Sequence, residues 1–103
     1  MTDEEMISCS EPDRQIDRLR AIMHRLRAPG GCPWDAEQTH DSLVSNLIEE
    51  TYETVAAIKA NDDENFQEEL GDLLLQVVFH AELAEEDNRF DLNDIARGVS
   101  DKL

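Results

Sequence analysis

Five carboxylates are spaced for joint work: Glu49, Glu50 and Glu53 in the run NLIEETYETV, and Glu69 and Asp72 in EELGDLLLQVVFH. Successive residues of a helix turn by about 100°, so positions three or four apart share a face. Glu49, Glu50 and Glu53 gather on one side of their helix, and Glu69 and Asp72 stand on one line of theirs. Cations to pair with them are scarce, since Lys59 is the only lysine or arginine between Arg27 and Arg89. Carboxylates that converge without a basic partner must be solvated, protonated or bound to a divalent metal. An all-oxygen donor set favours Mg²⁺, with Mn²⁺ as the second choice, over zinc.

The surrounding pattern decides between a wet acidic face and a metal cage. In the first run, Leu47, Ile48, Thr51, Val55 and Ile58 form an apolar stripe opposite the glutamates, which taken alone describes an ordinary amphipathic helix. The second run is different. Leu70, Leu73, Leu74, Val77, Val78 and Ala81 fill a broad arc, Leu75, Phe79 and Leu83 edge the far side, and one narrow polar seam remains: Glu69, Asp72, Gln76, His80. A helix apolar on most of its circumference is buried among neighbours, so acids in its seam are poorly solvated. A turn at Asn61 to Asn65 makes the two helices antiparallel neighbours, which brings the two acid groups to one level if their acidic faces meet.

Four helices are expected in all. Ser10, followed by Pro12 and Asp13, can cap a first helix whose stripe is Ile16, Leu19, Ile22, Met23 and Leu26 and which APGG at Ala28 to Gly31 terminates. GGCPWDAEQTHDSL is loop-like until Ser42 or shortly before, where the first acid-bearing helix starts and runs to about Ala60. The second extends from about Phe66 to Glu86, and Asp91 caps a final short helix bearing Leu92, Ile95 and Val99. The expected organisation is a flexible acidic segment, residues 1–9, followed by one all-α domain, residues 10–103.

Composition narrows the function. The chain has 103 residues, 40% of them hydrophobic, and a formal net charge of −16. That charge opposes binding of a nucleic-acid polymer or an anionic membrane, both of which need a basic surface. Five of the nine basic residues lie between Arg14 and Arg27. The two cysteines, Cys9 and Cys32, form no CxxC motif and the three histidines show no zinc spacing, which disfavours a structural zinc site. The acidic start MTDEEM has no apolar core of a leader peptide and no run reaches membrane-spanning length, so a cytoplasmic protein with reduced thiols is expected.

Competing motifs fail on spacing. Asp62 to Asn65 lacks the central glycine and terminal glutamate of a calcium loop. A di-iron bundle needs Glu-x-x-His on two helices, and only Glu37 to His40 fits. His40-Asp41 is a lone dipeptide, there is no glycine-rich phosphate cradle, and no base is fixed beside Cys32 to make it a nucleophile.

GGCPWDAEQTHDSL, NLIEETYETVAAI and EELGDLLLQVVFHAELA together resemble the MazG nucleoside triphosphate pyrophosphohydrolases, of the all-α NTP pyrophosphatase superfamily. The pattern EExxE, a spacer, then ExxD is met by Glu49, Glu50, Glu53, Glu69 and Asp72, and the resemblance covers about residues 12 to 103. It implies Mg²⁺-dependent hydrolysis of an NTP or dNTP to the monophosphate and pyrophosphate, with water attacking the α-phosphorus. It further implies that Glu50, Glu53, Glu69 and Asp72 are metal ligands, that Glu49 supports a further metal or activates water, and that the bundle assembles as a dimer or dimer of dimers with the acidic cleft near the subunit interface.

Trp34 can stack on a nucleobase or cap the core, and Asp35 can bond to a sugar or base edge. Gln76 and His80 can orient ligands or satisfy core contacts, the structural role being favoured for His80. Similar proteins continue past DKL into a basic, histidine-containing segment that helps to hold phosphates; here Lys102 is the basic residue at that position in the chain, with Arg14 to Arg27, Arg89 or Arg97 as substitutes. The alternative function is an acidic helical dimerisation or regulatory module that keeps the fold with little turnover.

Overall fold

A computed structural model describes residues 1–103, which form six α-helices and two 3-10 turns with no strand. The helices are α1 (Asp3–Ser8), α2 (Gln15–Arg27), α3 (Pro33–Glu37), α4 (Val44–Lys59), α5 (Asp63–Glu86) and α6 (Leu92–Lys102), with the 3-10 turns at Pro12–Arg14 and Asp41–Leu43. The all-α expectation stands, and α2, α4, α5 and α6 are the four helices read from the sequence.

Three local readings are revised. Residues 1–9, expected to be a flexible segment, contain the short α1, because Thr2 and Glu5 form a reciprocal capping box and Met6 is buried. Arg18 ties this helix down by donating to the Met6 carbonyl at 2.6 Å. Ser10 and Asp13 cap nothing, since Pro12 opens a 3-10 turn instead and α2 starts at Gln15. The loop-like CPWDAE carries the short α3, with Pro33 at its first position, where its missing N–H costs no bond.

Elsewhere the punctuation works as read. At the end of α2 Gly30 adopts φ +83°, and Gly31 sits so tightly that a Cβ there would lie 2.3 Å from the Leu26 carbonyl oxygen. Asn61, at φ 53°, turns the chain after α4, and the Asp62 carboxylate accepts from the Asn65 N–H to start α5. Asp91 and Asp94 form a capping box at the head of α6.

The most extensive helix pair is α4 against α5, and α2 also packs on α5. Met23, Leu43, Val78, Phe79 and Leu83 make the core, and Leu19, Leu75 and Leu92 pack against it. The face of α4 that meets α5 is the acid-bearing one, as expected if the two acid groups are to converge. Thr54 and Ala57 are buried and Asn46 and Glu50 half-buried, whereas the apolar stripe Leu47, Ile48, Val55 and Ile58 is exposed. Small residues at the contact let the helices approach, and the Thr54 hydroxyl lies 2.8 Å from the Glu50 carbonyl and 3.3 Å from that of Glu69.

Candidate functional site

Because α4 turns its acid-bearing side toward α5, the two sequence clusters meet. Carboxylate oxygens of Glu50, Glu69 and Asp72 all lie within 4.8 Å of one another. Glu53 lies outside this group of convergent oxygens but acts on it electrostatically: after burial, its charge helps to push the carboxyls of both Glu50 and Glu69 upward. Thr54, bridging the backbones of Glu50 and Glu69, holds the two helices in register at this level.

The electrostatics are those of crowded like charges. Glu50 is raised to about 7, first by burial and then by Glu53, Asp72 and Glu69. Glu69 is also raised, by burial and then by its hydrogen bond and repulsion with Glu53. The Oε2 atoms of both Glu50 and Glu69 are buried without a hydrogen-bond partner. Buried acceptor oxygens are almost always paired, so these two suit a cation. Three or four oxygens from monodentate carboxylates, with room for water and phosphate oxygens, fit Mg²⁺ or Mn²⁺.

Beside the cluster lies a cavity of about 460 Å³. Leu19, Met23, Leu75 and Phe79 supply apolar wall, and Trp34, Asp35, Asn46 and Gln76 supply polar or aromatic groups. Asn46 precedes Glu50 by one turn of α4 and Gln76 follows Asp72 by one turn of α5, so the cavity adjoins the acids. Gln76 is buried and its Oε1 has no partner. Trp34 is 54% exposed, which makes it a wall of the cavity rather than a core cap.

The remaining candidates fall elsewhere. Glu49 is exposed and outside the group of ligating carboxylates. Lys102 is exposed at the end of α6 and does not line the cavity. His80 packs its ring on His40, with Nδ1 atoms 2.7 Å apart, and burial followed by the His40 charge holds its pKa below the usual value. That contact supports the structural reading of His80.

The basic residues suggested as phosphate contacts are largely engaged with protein groups. Arg14 pairs with Glu11, Arg25 with Asp3, Arg27 with Glu86 and Arg97 with Asp101. Arg20 bonds Asn93, and Arg89 stands over the Phe90 ring. Asn46 also lines the cavity, and its place one turn before Glu50 on the acid-bearing side of α4 is the sequence signal for it.

The model of the MazG nucleotide pyrophosphohydrolase domain matches residues 38–103. The chain is 56% identical over 90 residues to a nucleoside triphosphate pyrophosphohydrolase of Escherichia coli K12, covering 86% of this chain and 34% of that protein. It is 51% identical over 88 residues to a nucleoside triphosphate pyrophosphohydrolase/pyrophosphatase MazG of Thermotoga maritima, covering 85% and 34%. A Mycolicibacterium smegmatis nucleoside triphosphate pyrophosphohydrolase aligns over 103 residues at 44% identity, covering 95% and 31%. The chain thus spans about a third of the length of these curated relatives. With the family pattern matched over more than half its residues and its acids gathered at one site, the chain belongs to the MazG nucleotide pyrophosphohydrolase domain family.

Proposed function

We propose that this chain hydrolyses nucleoside triphosphates to the monophosphate and pyrophosphate. The convergence of Glu50, Glu69 and Asp72, with two buried carboxylate oxygens left unpaired, carries the reading. The names of the relatives point to the same reaction.

Glu50, Glu53, Glu69 and Asp72 would hold Mg²⁺, with Mn²⁺ as a substitute. When bound, the ion neutralises phosphate charge and lowers the pKa of water. The chain's own groups do the rest. The cavity receives the nucleobase, where Trp34 offers a stacking face and Asp35, Asn46 and Gln76 offer hydrogen bonds. With the cavity one helical turn from the acids, a nucleotide bound there would direct its phosphates toward the cluster. Water adds to the α-phosphorus, the bond from that phosphorus to the bridging oxygen breaks, and pyrophosphate departs with that oxygen. A carboxylate takes the water proton; Glu49, placed in that role by the family resemblance, is the candidate outside the ligand group. Lys102 is retained as a candidate contact for the phosphates.

Assembly belongs to the same proposal. Only 12 of 103 residues are buried, and Ile48, Tyr52, Val55 and Ile58 on α4 with Leu70, Leu74 and Val77 on α5 are exposed. A second copy of the chain covering this apolar face would form a dimer, or a dimer of dimers.

The decisive assay measures pyrophosphate and monophosphate from a panel of NTPs and dNTPs with Mg²⁺. Wild type is expected to release both in equal amounts, and Glu53→Gln and Glu69→Gln to lose about a hundredfold or more of kcat/KM. No release by wild type, or full activity in Glu69→Gln, defeats the catalytic reading. Calorimetry then tests the alternative, since an acidic dimerisation module shows no Mg²⁺-dependent nucleotide binding.

A further inference from the structure

Arg27 carries a concentration of contacts that neither the metal cluster nor the core accounts for. Its side chain is 10% exposed at the last position of α2. One edge of the guanidinium forks onto Glu86 of α5, with Nε 2.5 Å from Oε2 and Nη2 2.9 Å from Oε1. The remaining nitrogen, Nη1, donates to the carbonyls of Asp35 at 2.6 Å and Gln38 at 3.2 Å. These carbonyls belong to the end of α3, the negative pole of that short helix, where a cation is favoured.

The short helix needs such a tether. Five residues are far too few to hold a helix unaided, α3 has no side-chain N-cap, and none of its residues is buried. Gln38 extends the tether: its Nε2 donates to the Trp34 carbonyl at 3.0 Å and its Oε1 accepts from the Ser42 hydroxyl at 2.8 Å. Trp34, more than half exposed, has little packing of its own to fix it over the cavity. Arg27 does not line the cavity itself, but its guanidinium sits 5.9 Å from the centre of the Phe79 ring, which does.

We propose that Arg27, clamped by Glu86, is a positioning residue for nucleotide binding: it fixes α3 so that Trp34 and Asp35 close the cavity wall. The inference rests on the nucleotide reading of that cavity. It assigns Arg27 no contact with substrate and no part in the chemical step, so binding rather than turnover depends on it. A lysine cannot substitute, because a single ammonium does not present a planar fork to the carboxylate and a third nitrogen to two carbonyls.

The test exploits Trp34, the only tryptophan of the chain. Arg27→Lys and Glu86→Gln are compared with wild type in acrylamide quenching of the free protein. They are also compared in binding an α,β-methylene nucleoside triphosphate with Mg²⁺, followed by Trp34 fluorescence, and in steady-state kinetics. Both variants are expected to quench more readily and to raise Kd and KM about fivefold or more, with kcat within about twofold. A lower Tm with Kd, KM and quenching all as in wild type overturns the proposal, since that is what a merely structural ion pair produces. If wild type neither binds nor hydrolyses nucleotide, the nucleotide reading fails by itself. Quenching then still judges the tether, and unchanged quenching in both variants overturns it. Should Arg27→Lys fail to give the helical circular dichroism of wild type, Glu86→Gln carries the same measurements from an exposed partner position.

Discussion

At neutral pH Glu50 stands near its own midpoint, because burial and three neighbouring carboxylates raise it to about 7. The folded protein therefore binds the Glu50 proton more tightly than the unfolded chain, whose glutamates titrate near their ordinary value of 4.5. The sign follows by linkage: the contribution is fully present below about pH 4.5 and is lost as pH rises through about 7. In chelator, Tm is expected to fall across that interval, and Glu50→Gln, which mimics the neutral acid, to be more stable than wild type at pH 8. Adding Mg²⁺ at pH 8 should reverse the order, stabilising wild type and not the variant. Thermal melts with and without Mg²⁺ check both statements; a wild type that is no less stable than Glu50→Gln at pH 8 in chelator removes the crowding account. The residue types and spacing of Glu50, Glu53, Glu69 and Asp72 were legible in the sequence. The exposure of Glu49 and the placing of Asn46 and Gln76 at the cavity were not, because both depend on how one helix is rotated against another.

At the scale of elements, α4 and α5 make the site and the segment from Ala28 to Leu43 roofs it. The junction between α2 and that segment has no slack at Gly31, where a Cβ would meet the Leu26 carbonyl oxygen at 2.3 Å and that of Arg25 at 2.4 Å. Gly31→Ala must therefore shift the end of α2, with Arg27 and its tether to α3. A loss of about 1–3 kcal/mol is expected, together with a higher KM for nucleotide. Chemical denaturation and kinetics on one preparation check this, and a variant of wild-type stability contradicts the close approach. APGG was legible as a stop, since proline and glycine punctuate helices locally. The helix at Pro33–Glu37 was not, because five residues carry no periodicity and owe their conformation to Arg27 and Gln38.

For the whole molecule, a core of few residues and a broad apolar face on α4 and α5 predict self-association. Light scattering at micromolar concentration is expected to give at least a dimer, and Ile48→Glu or Val55→Glu to shift it toward monomer by placing unpaired charge in the covered face. A stable wild-type monomer contradicts the assembly. The charge of −16 adds a second expectation: modest salt stabilises by screening self-repulsion, and Mg²⁺ stabilises further only while Glu69 is present. Comparing Tm in NaCl and in MgCl₂ at matched ionic strength, for wild type and Glu69→Gln, separates screening from binding.

By itself the sequence determined the four longer helices, the turn at Asn61 to Asn65, the cap at Asp91, and two clusters of acids whose members lie within four residues of one another, because periodicity and capping are local properties of the chain. Its family resemblance suggested the chemistry proposed for those acids. Only the tertiary structure decided which side of α4 faces α5. Taken alone, the apolar stripe Ile48, Val55 and Ile58 marks an inward side, yet α5 takes the side bearing Glu50, Thr54 and Ala57. The physical reason is that hydrophobic periodicity marks which residues leave water without saying whether their cover is this chain or another. What packs within the chain is set by close approach, here through Thr54 and Ala57, and that approach is what turns two rows of glutamates into one site.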